Sequence, residues 1–480
     1  MKVTEETNKC RKQEETCCQK DTAEQEGYGR GHSFKRITEN NTTNTNRQNE
    51  WMLERILSSN NLHRAYKKVK KNKGAGGVDG MKTGELLAYL TEHQRELVLS
   101  IRNGTYKPQP VRRVEIPKDN GKTRKLGIPT VVDRVIQQAI SQVLVPIYER
   151  KFSDNSYGFR PHRSTHQALL KCQKNVNEGY QYVVDLDLEQ YFDTVNHSKL
   201  IQILSETIHD GRVISLIHKF LNAGVMIKGI RTTNDFGVPQ GGPLSPLLAN
   251  VMLNELDKEM EARNHRFVRY ADDVIIFCKS RRSCERTYHN ILPFIEKKLR
   301  LKVNREKTMI THIRNIKFLS YGFYLYEGKC KFRVHPKGVQ KLKEKIRRIT
   351  GRSNGLSVEE RKKRLNDTVR GWVNYYKLAD MKSLVTRLDQ WTRRRMRMVT
   401  WKRWKRVRTR FYWLKKLGIN KRKAWEWANT RKGYWRISGS HILARTLTNE
   451  LFRRARYILL SVCTVVNFRT AVYGTVRTVV

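Results

Sequence analysis

The spacing of apolar residues changes several times along the chain, and each change predicts an element. Val3 and Ile37 are the only Ile, Leu or Val in residues 1–50, too little apolar surface to offset the entropy lost on ordering. That segment is expected to be a disordered polar tail. From Trp51 onward Leu53, Ile56, Leu62, Ala65 and Val69 fall near helical spacing. Ile136, Ile140, Leu144 and Ile147 repeat it over 133–149, and further helices are expected from about Ser164, over 247–260 and over 285–299.

Other stretches read as strands. Residues 111–117 and 124–129 flank Asp119-Asn-Gly121, a turn signal, and predict a two-stranded ribbon. Residues 182–186 form a strand-like run with Asp187 near its end and a helix expected by Glu189. Residues 266–270 and 274–277 read as a hairpin whose turn is Ala271-Asp-Asp273, and 316–325 as a strand pair. Residues 236–246 hold three Pro and three Gly, so they form neither regular helix nor central strand. Gln240 sits there beside Gly241 and Gly242, where no Cβ prevents close approach to another backbone. Past about Val334 the pattern is helical and basic, ending in a β-branched tail, 451–480, of open role.

Composition sharpens this outline. In 480 residues there are 96 Lys and Arg against 45 acids, a formal net charge of +51. That excess implies a polyanionic partner, and nine Trp and twenty Tyr favour nucleic acid over a membrane surface. No apolar run reaches about 18 residues, so no membrane span is expected. The eight Cys show no metal spacing, which fits free thiols in a reducing bacterial cytosol, with the protein associated with the nucleoid. Residues 391–432 hold 17 Lys or Arg and one acid, Glu426, interleaved with Trp. Arg393, Arg394, Arg395, Lys402, Arg403, Lys405 and Arg406 are candidate nucleic-acid contacts there, while some of the Trp are expected to be core.

The acids carry the chemistry. Adjacent Asp272 and Asp273 repel each other, so they stay ionised only with a cation or donors nearby. Alone they fit a solvated turn as well as a metal site. Joined by Asp187 at a strand end they form a three-carboxylate set, with Asp185 and Asp193 less well placed. Such a set suits two Mg²⁺ roughly 3.5–4 Å apart, the requirement for in-line nucleotidyl transfer. In the ribbon, Lys118 and Arg124 are positioned to lie over a polyphosphate, or to form a plain basic hairpin. Arg160, in Ser156-Tyr-Gly-Phe-Arg-Pro161, has either a nucleic-acid contact or a structural role.

Seven blocks in one order then give a resemblance. They are Gly76-Gly-Val-Asp-Gly80, Arg124-Lys-Leu-Gly-Ile-Pro129, Tyr157-Gly-Phe-Arg-Pro161, Asp187-Leu-Glu-Gln-Tyr-Phe192, Pro239-Gln-Gly-Gly-Pro-Leu-Ser-Pro246, Tyr270-Ala-Asp-Asp273 and Glu306-Lys-Thr308. Gly371-Trp-Val-Asn-Tyr-Tyr376, Leu388-Asp-Gln-Trp391 and Gly433-Tyr-Trp-Arg436 follow. From about Trp51 to Glu450 the chain resembles a group II intron-encoded reverse transcriptase and maturase of the form lacking an HNH endonuclease domain.

The resemblance implies an α+β fold. Right-hand fingers and palm with an antiparallel palm sheet would occupy 51–333, and an α-helical thumb and maturase domain 334–450. Asp187, Asp272 and Asp273 would bind two Mg²⁺. Phe192 would lie under the sugar of the incoming dNTP and exclude a 2′-hydroxyl. Arg124 would meet the triphosphate, with Lys118 in the same ribbon, Gln240 would border nucleotide and template, and Lys307 would stand near the leaving phosphates. Implied partners are group II intron RNA and a DNA target or primer, with splicing assistance and copying of the intron into DNA; a homodimer is left open. Many relatives add a DNA-binding and HNH region, but after Glu450 there is no His and one Cys, so second-strand nicking is not expected. A splicing cofactor with a vestigial polymerase, or a host-domesticated or phage-defence enzyme, are the competing readings.

Overall fold

The computed structural model describes residues 51–117, 121, 123–227, 229–232, 236–238 and 240–461. The expected disordered tail, Lys118 and most of the β-branched C-terminal tail lie outside the described residues. None of the described helices is long and apolar enough to cross a membrane. Three sheets and a helical C-terminal part make the fold α+β.

The N-terminal helices are Met52–Leu57 and Ser59–Lys71, with a break at Ser58 inside the stretch of helical spacing. With Leu86–Arg102 they pack against Val131–Glu149, whose first turn is closed by Thr130 accepting from the Asp133 N–H. Strands β1 (Val111–Pro117) and β2 (Thr123–Ile128) pair antiparallel as the expected ribbon, and β4 (Val225–Ile227) and β5 (Ile230–Thr232) extend that sheet. The helix expected near Ser164 is Thr165–Asn177, started by a full capping box between Ser164 and Gln167.

The central sheet runs β6-β7-β3-β8, with β3 Tyr182–Leu186, β6 Arg266–Tyr270, β7 Asp273–Cys278 and β8 Met309–His312, all neighbours antiparallel. Strand alternation divides its residues between two cores. Val184, Leu186, Val274 and Ile276 face a core shared with the N-terminal helices and the helix Ser245–Ala262. Val183, Ile275, Phe277 and Val268 face the other, which continues through β9 (Lys317–Phe318), β10 (Tyr321–Tyr326) and β11 (Lys329–Val334) into the C-terminal helices. Both faces are covered, so a one-residue slip would swap the two sets of side chains and drive Asp185 into the opposite core.

Two local expectations change. No helix begins by Glu189; Gln190 takes a left-handed conformation (φ 44°) and a single turn, Tyr191–Thr194, follows. The helix expected over 285–299 is Arg281–Pro293 followed by a wider π-turn, Phe294–Lys298. The C-terminal part holds three long helices, Pro336–Ile349, Val358–Tyr375 and Lys382–Arg403, and shorter ones to Asn449–Arg454. Trp401, Trp404 and Trp427 are core, whereas Trp413, Trp425 and Trp435 are exposed. Asn449–Arg454 runs across the expected boundary at 450, and buried Asp389 accepts from the N–H groups of Leu460 and Ser461, tying the start of the tail to the helices.

Candidate active site

The hairpin between β6 and β7 is tighter than its sequence predicts. Tyr270 pairs with Asp273, so Asp273 opens β7 and only Ala271 and Asp272 turn the chain. Ala271 is left-handed at φ 57°, a conformation that needs support in a non-glycine residue. Support comes from beneath. Arg269, fully buried, donates to the Ala271 carbonyl at 3.1 Å and to Asn250 Oδ1 at 2.9 Å, and is held by Asp257 through contacts of 2.5–3.0 Å. Asn250 in turn donates to the Gly158 carbonyl at 2.8 Å. A Cβ at Gly158 would collide with the Ala271 backbone, which explains why the Tyr-Gly-Phe block carries glycine there.

Register assembles the carboxylates. Leu186 pairs with Val274, so one further step sets Asp187 beside Asp273, with Asp185 two residues back on the same face opposite Ile275. The electrostatics follow that geometry. Asp273 is reached by water, yet protein around it makes desolvation the first cause of a pKa pushed up to about 7, followed by Asp272, Asp185 and Asp187. Asp185 rises to about 6 through burial and then the charge of Asp187. Asp185, expected to be less well placed because it lies earlier in the strand, stands among these carboxylates. The period-2 rule already put it on the Asp187 face. Asp193 is exposed on the short turn.

A polar loop grips the Asp187 backbone. The Asn304 N–H donates to the Asp187 carbonyl at 2.9 Å, and the Asp187 N–H reaches Thr308 Oγ1 at 3.3 Å. Lys307 Nζ lies 3.1 Å from Asp187 Oδ2. Opposite, the Gly127 N–H of β2 donates to the Gln240 carbonyl at 2.8 Å, and Gly241 (φ 132°) leaves no room for a Cβ against the Gly127 carbonyl. Arg124 Nε donates to Gln240 Oε1 at 2.8 Å. Phe192, buried, lines a cavity with Lys125, Gly127, Phe236 and Gln240. Thus Gln240 and Phe192 border one space, Arg124 is tied to its edge through Gln240, and Lys307 joins the carboxylates.

Three basic candidates are corrected. Arg160 is buried, held by Glu149 at 2.7 Å and by the Ser153 and Ser156 carbonyls, so it braces its own loop. Arg395 donates to Thr350 Oγ1 at 2.9 Å and to the Arg347 and Thr350 carbonyls. Arg394 lies 4.1 Å over the Trp435 ring and donates to the Trp435 carbonyl. Internal acceptors hold these groups, and a guanidinium already bonded to carbonyls is a poor phosphate clamp. Arg393 is half-buried and Lys402 reaches Ser353 Oγ at 3.3 Å, whereas Arg403, Lys405 and Arg406 are exposed.

The donor set fits hard divalent cations: all-oxygen, crowded and short of positive charge. Among the described residues the carboxylates form no ready-made cage of three or more ligands.

Residues 116–323 match the family "Reverse transcriptase (RNA-dependent DNA polymerase)", and 339–418 match "Group II intron, maturase-specific domain". The chain is 34% identical over 326 residues to Protein YkfC of Escherichia coli, covering 59% of this chain and 82% of that protein. It is 32% identical over 392 residues to the group II intron-encoded protein LtrA of Lactococcus lactis, covering 66% of this chain and 65% of LtrA. Reverse transcriptases of this kind use divalent metal ions, and the maturase-specific match implies binding to intron RNA. The chain therefore belongs to the group II intron-encoded reverse transcriptases and maturases, RNA-directed DNA polymerases with an attached maturase domain.

Proposed function

We propose that the protein extends a DNA primer on its own intron RNA, with Asp187, Asp272 and Asp273 holding two Mg²⁺, and that its helical part binds that RNA to assist splicing and retrohoming. The observation that carries the reading is the register that sets Asp187 beside Asp273, because a strand end and a hairpin far apart in sequence then share one patch of negative charge. The chemistry such ions supply is acidification of the primer 3′-hydroxyl and stabilisation of charge on departing pyrophosphate.

The remaining roles belong to the chain. The hairpin brace of Arg269, Asn250 and Gly158 fixes where Asp272 and Asp273 stand. Phe192 forms the wall against which a dNTP sugar packs, its bulk leaving no room for a 2′-hydroxyl. Arg124, close to Gln240, turns its remaining donors to the triphosphate, and Gln240 borders the base pair being formed. Exposed Arg403, Lys405 and Arg406 neutralise intron phosphates.

Extension of a DNA primer on an RNA template tests this. The wild type should incorporate dNTPs only with a divalent ion, and D272A plus D273A should abolish incorporation. A double variant that polymerises normally would refute the site. A wild type that promotes splicing yet incorporates no dNTP would establish the splicing-cofactor reading instead.

A further inference from the structure

We propose that Lys307 is a placeholder at Asp187: in the metal-free protein its ammonium occupies one carboxylate oxygen, and a divalent cation displaces it toward the substrate phosphates. The inference rests on the reading of Asp187 as a metal ligand.

The contact itself is direct, Lys307 Nζ to Asp187 Oδ2 at 3.1 Å. Its setting is built for exchange. The backbone around Lys307 is pinned: its own N–H donates to Asn304 Oδ1 at 3.2 Å, the Thr308 N–H to the Asn304 carbonyl at 2.9 Å, and the Asn304 N–H to the Asp187 carbonyl at 2.9 Å. The root of the side chain is therefore fixed beside the strand end. The side chain is not: it is 62% exposed, and that of Asp187 37%. A single-donor pair so open to water is weak and readily exchanged.

The same palm contains the opposite construction. Arg269 and Asp257 are both 0% exposed and meet through several contacts, the shortest 2.5 Å. A guanidinium fork, desolvated on all sides, makes a permanent brace, whereas lysine offers a point charge on a flexible four-carbon stem. Where permanence is needed the fold buries arginine; at Asp187 it exposes lysine. Crowding by Asp185 and Asp273 adds a reason for some cation to stay at Asp187 until a divalent ion arrives. Once displaced, the ammonium remains tethered within a side chain's reach of phosphates bound at the same carboxylates. It thereby ties metal arrival to triphosphate binding.

Mn²⁺ binding to the full chain, without nucleotide or nucleic acid, tests the exchange through the electron paramagnetic resonance signal of free Mn²⁺. K307A should bind Mn²⁺ roughly two- to fivefold tighter than wild type, the range over which an exposed ion pair competes. K307R, which keeps a cation on the carboxylate, should show no such gain, and the gain in K307A should vanish when D187N is added. K307A should also raise the KM for dNTP, a movement opposite to its metal affinity that a merely structural lysine would not produce. Equal or weaker Mn²⁺ binding by K307A, with D187N still weakening it, overturns the placeholder alone. Mn²⁺ binding insensitive to D187N in both backgrounds overturns the metal reading of Asp187 and the placeholder with it.

Discussion

The palm and the helical C-terminal part carry opposite surpluses of charge, and they manage them differently. In the palm, four carboxylates, Asp185, Asp187, Asp272 and Asp273, converge at the end of a sheet with Lys307 and Lys317 as nearby cations. Charge there is concentrated by register and left largely unneutralised. In the helical part, 17 Lys and Arg stand against one acid over 391–432, yet part of that charge turns inward. Arg394 and Arg395 bond backbone carbonyls and stack on Trp435 and Trp391, while Lys405 and Arg406 face water. The difference teaches how to read a charged sequence: the number of cations does not say which face outward, because the fold gives some of them several internal acceptors.

The contrast can be broken most forcefully in the palm. D273N should reduce RNA-templated incorporation by about a thousandfold or more, since one ligand of a charge-stabilising site is lost. Because the folded state crowds and desolvates this carboxylate, the same variant should melt no lower than wild type in EDTA, as differential scanning fluorimetry would show. Next in size is the brace. D257A leaves the Arg269 guanidinium buried without its partner and should destabilise the fold by about 3–5 kcal/mol, read by urea denaturation. Wild-type stability in D257A would mean that the hairpin does not depend on the ion pair.

In the helical part the two classes of cation should separate. K405A with R406A should weaken intron RNA binding by about tenfold and flatten the slope of log affinity against log salt by roughly 0.7–0.9 per lost phosphate contact. R394A with R395A should instead lower the melting temperature and leave that slope nearly unchanged. The reverse pattern would show that burial misidentifies the contacts. The smallest effect belongs to Arg124: R124A should raise the KM for dNTP several-fold without changing RNA affinity, measured by steady-state incorporation and filter binding.

Much of this was legible before any fold was known. The ribbon over 111–129, the helix capped by Ser164 and the hairpin over 266–277 follow from local signals, because each is closed by contacts within a few residues. The close approach expected of the Gly241-Gly242 loop is met by the Gly127 carbonyl and the Gln137 side chain. What escaped depends on partners far along the chain. Glu149 claims Arg160, Thr350 claims Arg395, and Asp257 supports a hairpin in which it takes no part. Asp185 is a different lesson. Its place follows from alternation along the strand, which sets it on the Asp187 face two residues before that acid.

The central claim is that Asp187 and the Tyr270-Ala-Asp-Asp273 hairpin form the polymerising site, and that the helical part binds RNA independently of it. Single-turnover dNTP incorporation and intron RNA affinity should be measured on D187N at one salt concentration. The account predicts incorporation lost with RNA affinity unchanged; incorporation at the wild-type rate would contradict it.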